Sequence, residues 1–289
     1  VTTPYRYPLP SLLDFSNKLH GCTFFSVVDL VKGYHQVPMA AADIQKTAIV
    51  TPFGLFEYIF MPFGLKNAAQ SFQRLMDRIF RVLPFVFSYV DDHLIASSSL
   101  EEHLSHLQQF FGLLEKNGLQ INPAKCVFAA SGVDFLGHRV DASGVRPLSR
   151  HVQAVQEFPL PTDVRQLQRF LGLTNFYRRF IPGAARILRP LTDALKGDPK
   201  TLVISSAMSA AFQAAKDALV ACAQLAHPDP TASISLAADA SDSHVGAVLQ
   251  QSAGAAWRPL AFFSRKLDAT QQRYSTFDRE LLAVFLAIR

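Results

Sequence analysis

The chain has 289 residues, 49% hydrophobic and 18% charged, enough to bury a sizeable core in one large domain or two to three small ones. No run of 18 apolar residues occurs and no signal-peptide pattern opens the chain, which argues against a membrane-spanning helix and a secretory leader. The net charge of +5 is uneven: residues 1–150 carry 13 Lys/Arg against 12 Asp/Glu, residues 151–222 carry 9 against 5, and residues 223–289 carry 6 against 6. The surplus therefore sits in the middle segment, which fits either a phosphate-backbone partner or a solvated basic face.

The first third reads as strands mixed with helices. Phe24 to Leu30 is a short apolar strand ending near an acid, and Thr47 to Phe60 reads as two strands around the turn Pro52-Phe53-Gly54. Lys66 to Leu83 reads as a helix, with Phe72, Leu75, Met76, Ile79 and Leu83 in one stripe opposite Arg74, Asp77, Arg78 and Arg81. Two apolar strands, Phe85 to Val90 and His93 to Ala96, flank Asp91-Asp92 as a hairpin. A helix is expected from about Leu100 to Asn117, with a capping box at Ser98 and Glu101, a stripe of Leu104, Leu107, Phe110, Phe111 and Leu114, and a stop at Gly118. His103 and His106 lie on it without a third ligand and read as a solvated face. Short strands run on to about Val145. From Pro147 the pattern turns helical, with Thr162 as a cap for a helix through Val164, Leu167, Phe170 and Leu171. Ala226 to Ala232, with Pro228 and Pro230, reads as a linker. Strands at Ser233–Ala240, Val245–Gln251 and Arg258–Ser264 follow, then a helix from about Thr276.

Three acids sit where acids need explaining. Asp91 and Asp92 repel each other at the tip of an apolar hairpin and have no obvious partner in sequence; alone they fit an exposed turn as well as a metal site. Asp29 closes another apolar strand. If both strands share a sheet, three carboxylates converge on one edge, the arrangement for two divalent ions, one activating an attacking hydroxyl and one stabilising a leaving oxygen. Cys22, Cys126 and Cys222 are far apart and odd in number, so neither a disulfide framework nor a zinc knuckle is expected, and a reducing compartment is.

At this point the chain resembles a known family. FSVVDLVKGYHQ, FMPFGLKNAAQSFQ, YVDD, NGLQINPAKC and VDFLGH stand in the order of the reverse transcriptase motifs, and look most like those of gypsy-type long-terminal-repeat retroelements. The resemblance implies an α+β fold: a palm of antiparallel sheet backed by helices with residual fingers (1–148), a helical thumb-like segment (149–225), and the N-terminal part of a ribonuclease H-like α/β domain (226–289). It implies that Asp29, Asp91 and Asp92 are the catalytic, metal-binding acids, holding two magnesium ions, with manganese as a substitute. Tyr34 matches the steric gate, whose ring would clash with a ribose 2′-hydroxyl. Gly64 and Lys125 match nucleotide-binding positions, the lysine as a candidate acid for the pyrophosphate leaving group. Gln73 is either a nucleic-acid contact or a solvated side chain. Phe135, Leu136 and Gly137 match the primer grip, and Arg165 and Arg169 share a helix face that suits a phosphate backbone. Asp239 and Glu280 match the first two metal-binding acids of ribonuclease H.

The activity so implied is RNA-directed DNA synthesis from deoxynucleoside triphosphates (dNTPs) on an RNA or DNA template with a primer. The partners are that template, the RNA–DNA hybrid and the dNTP, with no membrane. The place of action implied is the cytoplasmic virus-like particle. Oligomeric state is not legible. Val1 in place of Met and Arg289 inside a helix make both ends read as cut, so that the family's fingers hairpin ahead of Val1 and its further ribonuclease H acids beyond Arg289 are missing, and ribonuclease H activity is expected to be absent. Two rival readings are a nucleic-acid-binding remnant without catalysis, and a metal-dependent nuclease, which leaves Tyr34 and the motif order unexplained.

Overall fold

A computed structural model describes residues 2–11, 15–197 and 199–289. The chain divides into two compact units, residues 1–136 with 140–142, and residues 137–139 with 143–289. The helical middle segment and the C-terminal strands lie in the second of these units.

The first unit is built on a four-stranded antiparallel sheet, order β4-β5-β1-β6, of β1 (Phe24–Asp29), β4 (Val86–Tyr89), β5 (Asp92–Ser97) and β6 (Val127–Ala130). A separate two-stranded ribbon joins β2 (Ile49–Thr51) to β3 (Gly54–Phe56). Helices α1 (Ala68–Phe80) and α2 (Leu100–Lys116) pack against the sheet through one core that includes Val28, Phe72, Met76, Ile95 and Phe110. Of the expected stripe, Phe72, Met76 and Ile79 of α1 are buried, Leu75 is half-buried, and Leu83, just beyond the helix, is buried. Phe80 of α1 and Phe110 of α2 stack at 4.7 Å, and such a pair adds about 1 kcal/mol beyond its area.

Three expectations for α2 are corrected. The cap is Ser99, whose hydroxyl accepts from Glu102 N at 3.2 Å, while the Glu102 carboxylate takes Ser98 N at 2.7 Å; the box is shifted one residue along. The buried stripe is His103, Leu107, Phe110 and Leu114, and Leu104 is exposed. His103 is fully buried because it bridges two serines that β1 and β5 bury: its Nε2 lies 2.7 Å from Ser26 Oγ and its Nδ1 2.8 Å from Ser97 Oγ. A solvated face was the wrong environment for it.

Strands β7 (Gly132–Phe135), β8 (His138–Asp141) and β9 (Gly144–Pro147) follow, and the division between the units falls in this stretch. The second unit continues with α3 (Ser149–Gln156), α4 (Val164–Phe176), α5 (Ala184–Asp193) and α6 (Ser206–Val220). Then come an antiparallel sheet of β10 (Ile234–Ala240), β11 (His244–Ala253) and β12 (Ala256–Lys266), and helix α7 (Thr276–Ile288). Asp163, not Thr162, caps α4, accepting from Gln166 N at 2.8 Å. The expected linker is tied down: Leu225 pairs with Val145 of β9, Ala226 N donates to Pro259 O of β12 at 2.9 Å, and His227 is buried.

That tie explains one glycine. Gly144 has φ +145, and a Cβ there would meet Leu225 O at 2.1 Å. Gly144→Ala should therefore cost about 3 kcal/mol or more in urea unfolding, from strain and backbone overlap together. Gly112→Ala, in the exposed interior of α2 with open space around it, should gain about 0.5–1 kcal/mol in the same assay. Equal effects at the two positions would contradict the assignment of the Leu225 contact.

Candidate active site

β1 and β5 pair in the register Asp29↔Asp92, and β4 pairs with β5 at Tyr89↔Asp92. Val90 and Asp91 are the two residues of the β4–β5 turn. All three acids thus share one edge of the sheet. Asp29 and Asp92 are cross-strand neighbours, and Asp91 faces Gly33, where an added Cβ would stand 3.0 Å from Asp91 Cβ and 3.0 Å from Phe72 Cζ. A side chain there would press on Asp91 and Phe72, so glycine suits this close approach.

The turn itself is strained. Val90 has φ +54, a region that β-branched residues rarely occupy. Gln73 holds it there. Its Oε1 accepts from Val90 N at 2.7 Å, and its Nε2 donates to Ser88 O at 3.0 Å and Asp77 Oδ1 at 2.8 Å. Asp77 in turn accepts from the Tyr7 hydroxyl at 2.6 Å. Gln73 is fully buried, not the solvated side chain of one sequence reading, and its amide is engaged by the turn.

Asp29 is held through its backbone, its N–H donating to Cys126 Sγ at 3.5 Å and its carbonyl accepting from Asn122 N at 2.8 Å. Its Oδ2 lies 3.5 Å from the Lys125 ammonium, while Oδ1 is buried with no hydrogen-bond partner among the described residues. Burial, then the charges of Asp91 and Asp29, push the Asp92 carboxyl up to about 6, and Lys125 opposes them. An orphaned carboxylate oxygen beside two mutually repelling acids is a site short of positive charge. The donors are all oxygens, the set that magnesium takes. Among the described residues no three His, Cys, Asp or Glu side chains form a group able to hold an ion by themselves, so an ion here would need ligands from substrate or water as well.

Tyr34 lies in a 3-10 turn, Gly33–Gln36, beside the acids. Its half-buried ring packs edge-on against Phe63 and Phe72, each at 5.3 Å, and burial, then the Asp91 charge, raises its hydroxyl. Gly64 is exposed and has φ +85, which explains the glycine. Phe135 is buried against Phe15 and Phe87, and Leu136 and Gly137 have φ +44 and +79, the signature of a tight hairpin turn. Gly137 O accepts from the buried Tyr177 hydroxyl at 2.7 Å. Arg165 and Arg169 are exposed on α4, opposite its buried Leu167, Phe170 and Leu171.

In the second unit Asp239 is exposed at the end of β10, next to Ala240, whose N–H donates to Glu280 Oε1 of α7 at 3.4 Å. The pair lies at one end of the sheet. Arg279 is bound to Asp242 at 2.7 Å.

The roles of Gln73, Gly33 and Cys126 at the acids were missed from sequence. Gln73 sits four residues before Asp77 on the polar side of an amphipathic helix, and nothing local marks it as buried.

A hairpin carrying two acids beside a third on the neighbouring strand, backed by two helices, defines a polymerase palm of the reverse transcriptase class. Residues 3–140 match the family model described as "Reverse transcriptase (RNA-dependent DNA polymerase)", and residues 204–289 match "RNase H-like domain found in reverse transcriptase". The chain is 38% identical over 291 residues to the retrovirus-related Pol polyprotein from transposon 297 of Drosophila melanogaster, covering 100% of this chain and 27% of that polyprotein. It is 35% identical over 302 residues to that from transposon gypsy of the same organism, covering 99% and 29%. The fold matches the foamy viral protease-reverse transcriptase in complex with double-stranded DNA (TM-score 0.91, 21% identity, 99% of this chain and 50% of that one). It also matches the same viral protein in complex with RNA/DNA hybrid (TM-score 0.88, 21% identity, 99% and 39%). The chain belongs to the reverse transcriptase family, in the gypsy-type branch of long-terminal-repeat retroelement Pol polyproteins, and spans about a quarter of the length of the curated relatives it matches.

Proposed function

We propose that this chain carries the polymerase site of a retrotransposon Pol protein, joining a dNTP to a primer 3′-hydroxyl on an RNA or DNA template. The observation that carries the reading is the shared edge of Asp29, Asp91 and Asp92, with a buried Asp29 oxygen left without a partner and Asp92 pushed up to about 6. Magnesium bound by these three acids would supply Lewis-acid charge at the reacting phosphate. The primer 3′-hydroxyl would lose its proton to solvent as its oxygen forms the new bond to the α-phosphorus and the bond to pyrophosphate breaks. Lys125, 3.5 Å from Asp29 Oδ2, counters charge there and, with a triphosphate bound, would give a proton to the departing pyrophosphate.

Gln73 keeps the Asp91 backbone in place through the Val90 turn, and Tyr34 walls the side of the acids where the sugar would lie. Gly64 would let the backbone approach the incoming nucleotide. Phe135, Leu136 and Gly137 would set the primer end, and Arg165 and Arg169 would meet the backbone of the template–primer duplex. In the second unit Asp239 and Glu280 would be metal-binding acids toward an RNA–DNA hybrid. No helix among the described residues is long and apolar enough to cross a membrane. The cytoplasmic virus-like particle of such elements is the proposed place of action.

Nucleotide selection tests the reading. The parent chain should extend a DNA primer on an RNA template with dNTPs and fail with ribonucleotides, while Tyr34→Val should accept both, narrowing the preference at least about tenfold, a change of 1.4 kcal/mol. Extension by the parent with both sugars alike would overturn the gate, and extension with neither would overturn the polymerase reading for this chain.

A further inference from the structure

Gln36 ends the string FSVVDLVKGYHQ and closes the 3-10 turn Gly33–Gln36 that carries Tyr34. Its side-chain amide makes three hydrogen bonds. Nε2 donates to Val31 O at 2.6 Å and to Gln120 O at 2.9 Å, and Oε1 accepts from Gln120 N at 2.7 Å. The backbone fixes which way the amide faces, because Gln120 N can only donate. Toward Gln120 the amide pairs as a peptide group would. Leu30 and Ile121 form an antiparallel bridge just past β1, and Val31 N donates to Gln120 O at 3.0 Å. There the chain leaves the sheet, and the Gln36 side chain supplies the next rung of the ladder.

The turn needs such a tie. Lys32, just before it, has φ +45, a left-handed conformation in which a side chain crowds the backbone. Gly33 is pressed so closely on Asp91 and Phe72 that a Cβ would stand 3.0 Å from each. Backbone bonds brace the turn from within, His35 N donating to Lys32 O at 2.7 Å and Val37 N to Tyr34 O at 3.1 Å, but neither joins it to the strand that bears Asp29. Gln36 closes residues 31–36 into a loop and fastens that loop to Gln120. Two residues further on, Asn122 N donates to Asp29 O at 2.8 Å, so one short segment holds both the Tyr34 turn and an acid.

We infer that Gln36 is a specificity-determining positioning residue: its amide fixes the turn that carries Tyr34 against the segment that holds Asp29, and so sets how closely the Tyr34 ring bounds the sugar of an incoming nucleotide. The inference rests on the proposed polymerase function and the place of Tyr34 in it. Without the amide, Lys32 relaxes toward an ordinary conformation and the turn swings off Gln120, taking the ring with it.

The test is the ratio of kcat/KM for a dNTP to that for the matching ribonucleotide, in primer extension by the whole chain on an RNA template. Gln36→Glu keeps the shape of the side chain but turns a carboxylate on the Val31 and Gln120 carbonyls. Gln36→Met keeps the length without charge or donor, and carries the test if the first variant does not fold. Each should lower the ratio at least about threefold, less than Tyr34→Val does, because the bonds are partly exposed and the ring keeps its contacts with Phe63 and Phe72. Added to Tyr34→Val, the same changes should lower it no further, since the amide acts through the ring. Leu107→Ala, which opens a cavity in the core of the same unit, should cost stability and leave the ratio at the parental value.

A parental ratio in both Gln36 variants, with Tyr34→Val still relaxed, would overturn the inference and leave the polymerase reading standing. So would an equal fall in Leu107→Ala, or a fall on the Tyr34→Val background as large as on the parent, either of which marks a general loosening of the site. Extension by the parent with neither sugar would overturn both readings.

Discussion

Asp92→Asn should unfold at higher urea than the parent chain at pH 8 in the presence of a chelator, although it removes an acid from the active site. The Asp92 carboxyl stands at about 6 in the folded chain, against about 3.8 ordinarily, because burial and the charges of Asp91 and Asp29 disfavour its ionised form. The fold therefore binds this proton more tightly than the unfolded chain does. The stability that goes with protonation is complete below about 3.8 and is lost as pH rises through about 6. Two units would amount to about 3 kcal/mol, and partial solvation of the site brings the expected gain from the amide to about 1–2 kcal/mol at pH 8. Well below pH 3.8 the carboxyl is protonated in both the folded and the unfolded chain, and the gain should vanish. His93, buried and lowered to about 3, makes both proteins less stable as pH falls below about 6.5, so it cancels when variant and parent are compared at each pH. A variant less stable than the parent at pH 8 without metal would show that Asp92 is satisfied by the protein itself, and would remove the main electrostatic argument for an ion.

The second large effect is expected at Gln73. Gln73→Leu keeps the volume roughly but strips the partners from Val90 N and Ser88 O in a site closed to water. Each orphaned group costs about 1–3 kcal/mol, so the unfolding free energy should drop by about 3–5 kcal/mol. Val90 should also leave its left-handed conformation, since the bond from its N–H to the Gln73 amide is lost, and the Asp91 backbone would move with it. Gln73 is a positioning residue: in material that is still folded, the variant should lose primer-extension kcat by at least tenfold with little change in KM for the dNTP. A Gln73→Leu protein with parental stability and turnover would show that the hairpin keeps its shape without the amide.

Much of the site was legible because its chemistry is local. Two acids between apolar strands, and a third closing another, stand out against alternating hydrophobic residues, and their shared edge follows once β1 and β5 pair. The stripe of α1 was legible for the same reason. What could not be read depends on contacts distant in sequence. Gln73 meets Val90 17 residues on, across a strand and a turn. His103 owes its burial to Ser26 and Ser97, while Leu104 beside it gave the more hydrophobic periodicity. Lys125 reaches Asp29 from 96 residues away. The two prolines in Ala226–Ala232 suggested a linker, but Leu225 and Ala226 bond to β9 and β12. The caps of α2 and α4 differ by one residue from expectation because adjacent Ser-Ser and Thr-Asp pairs offer two hydroxyl or carboxylate caps each, and backbone geometry chooses between them.

The most direct test of the central claim is extension of a DNA primer on an RNA template with dNTPs and magnesium, by the parent chain beside Asp91→Asn and Asp92→Asn. The account predicts extension by the parent, a loss of at least about a thousandfold in both variants, and folded variants by urea unfolding. Extension that survives in either variant would contradict the assignment of these acids. Absence of extension from the parent as well would contradict the claim that this chain holds a working polymerase site, and would favour the alternative of a nucleic-acid-binding remnant.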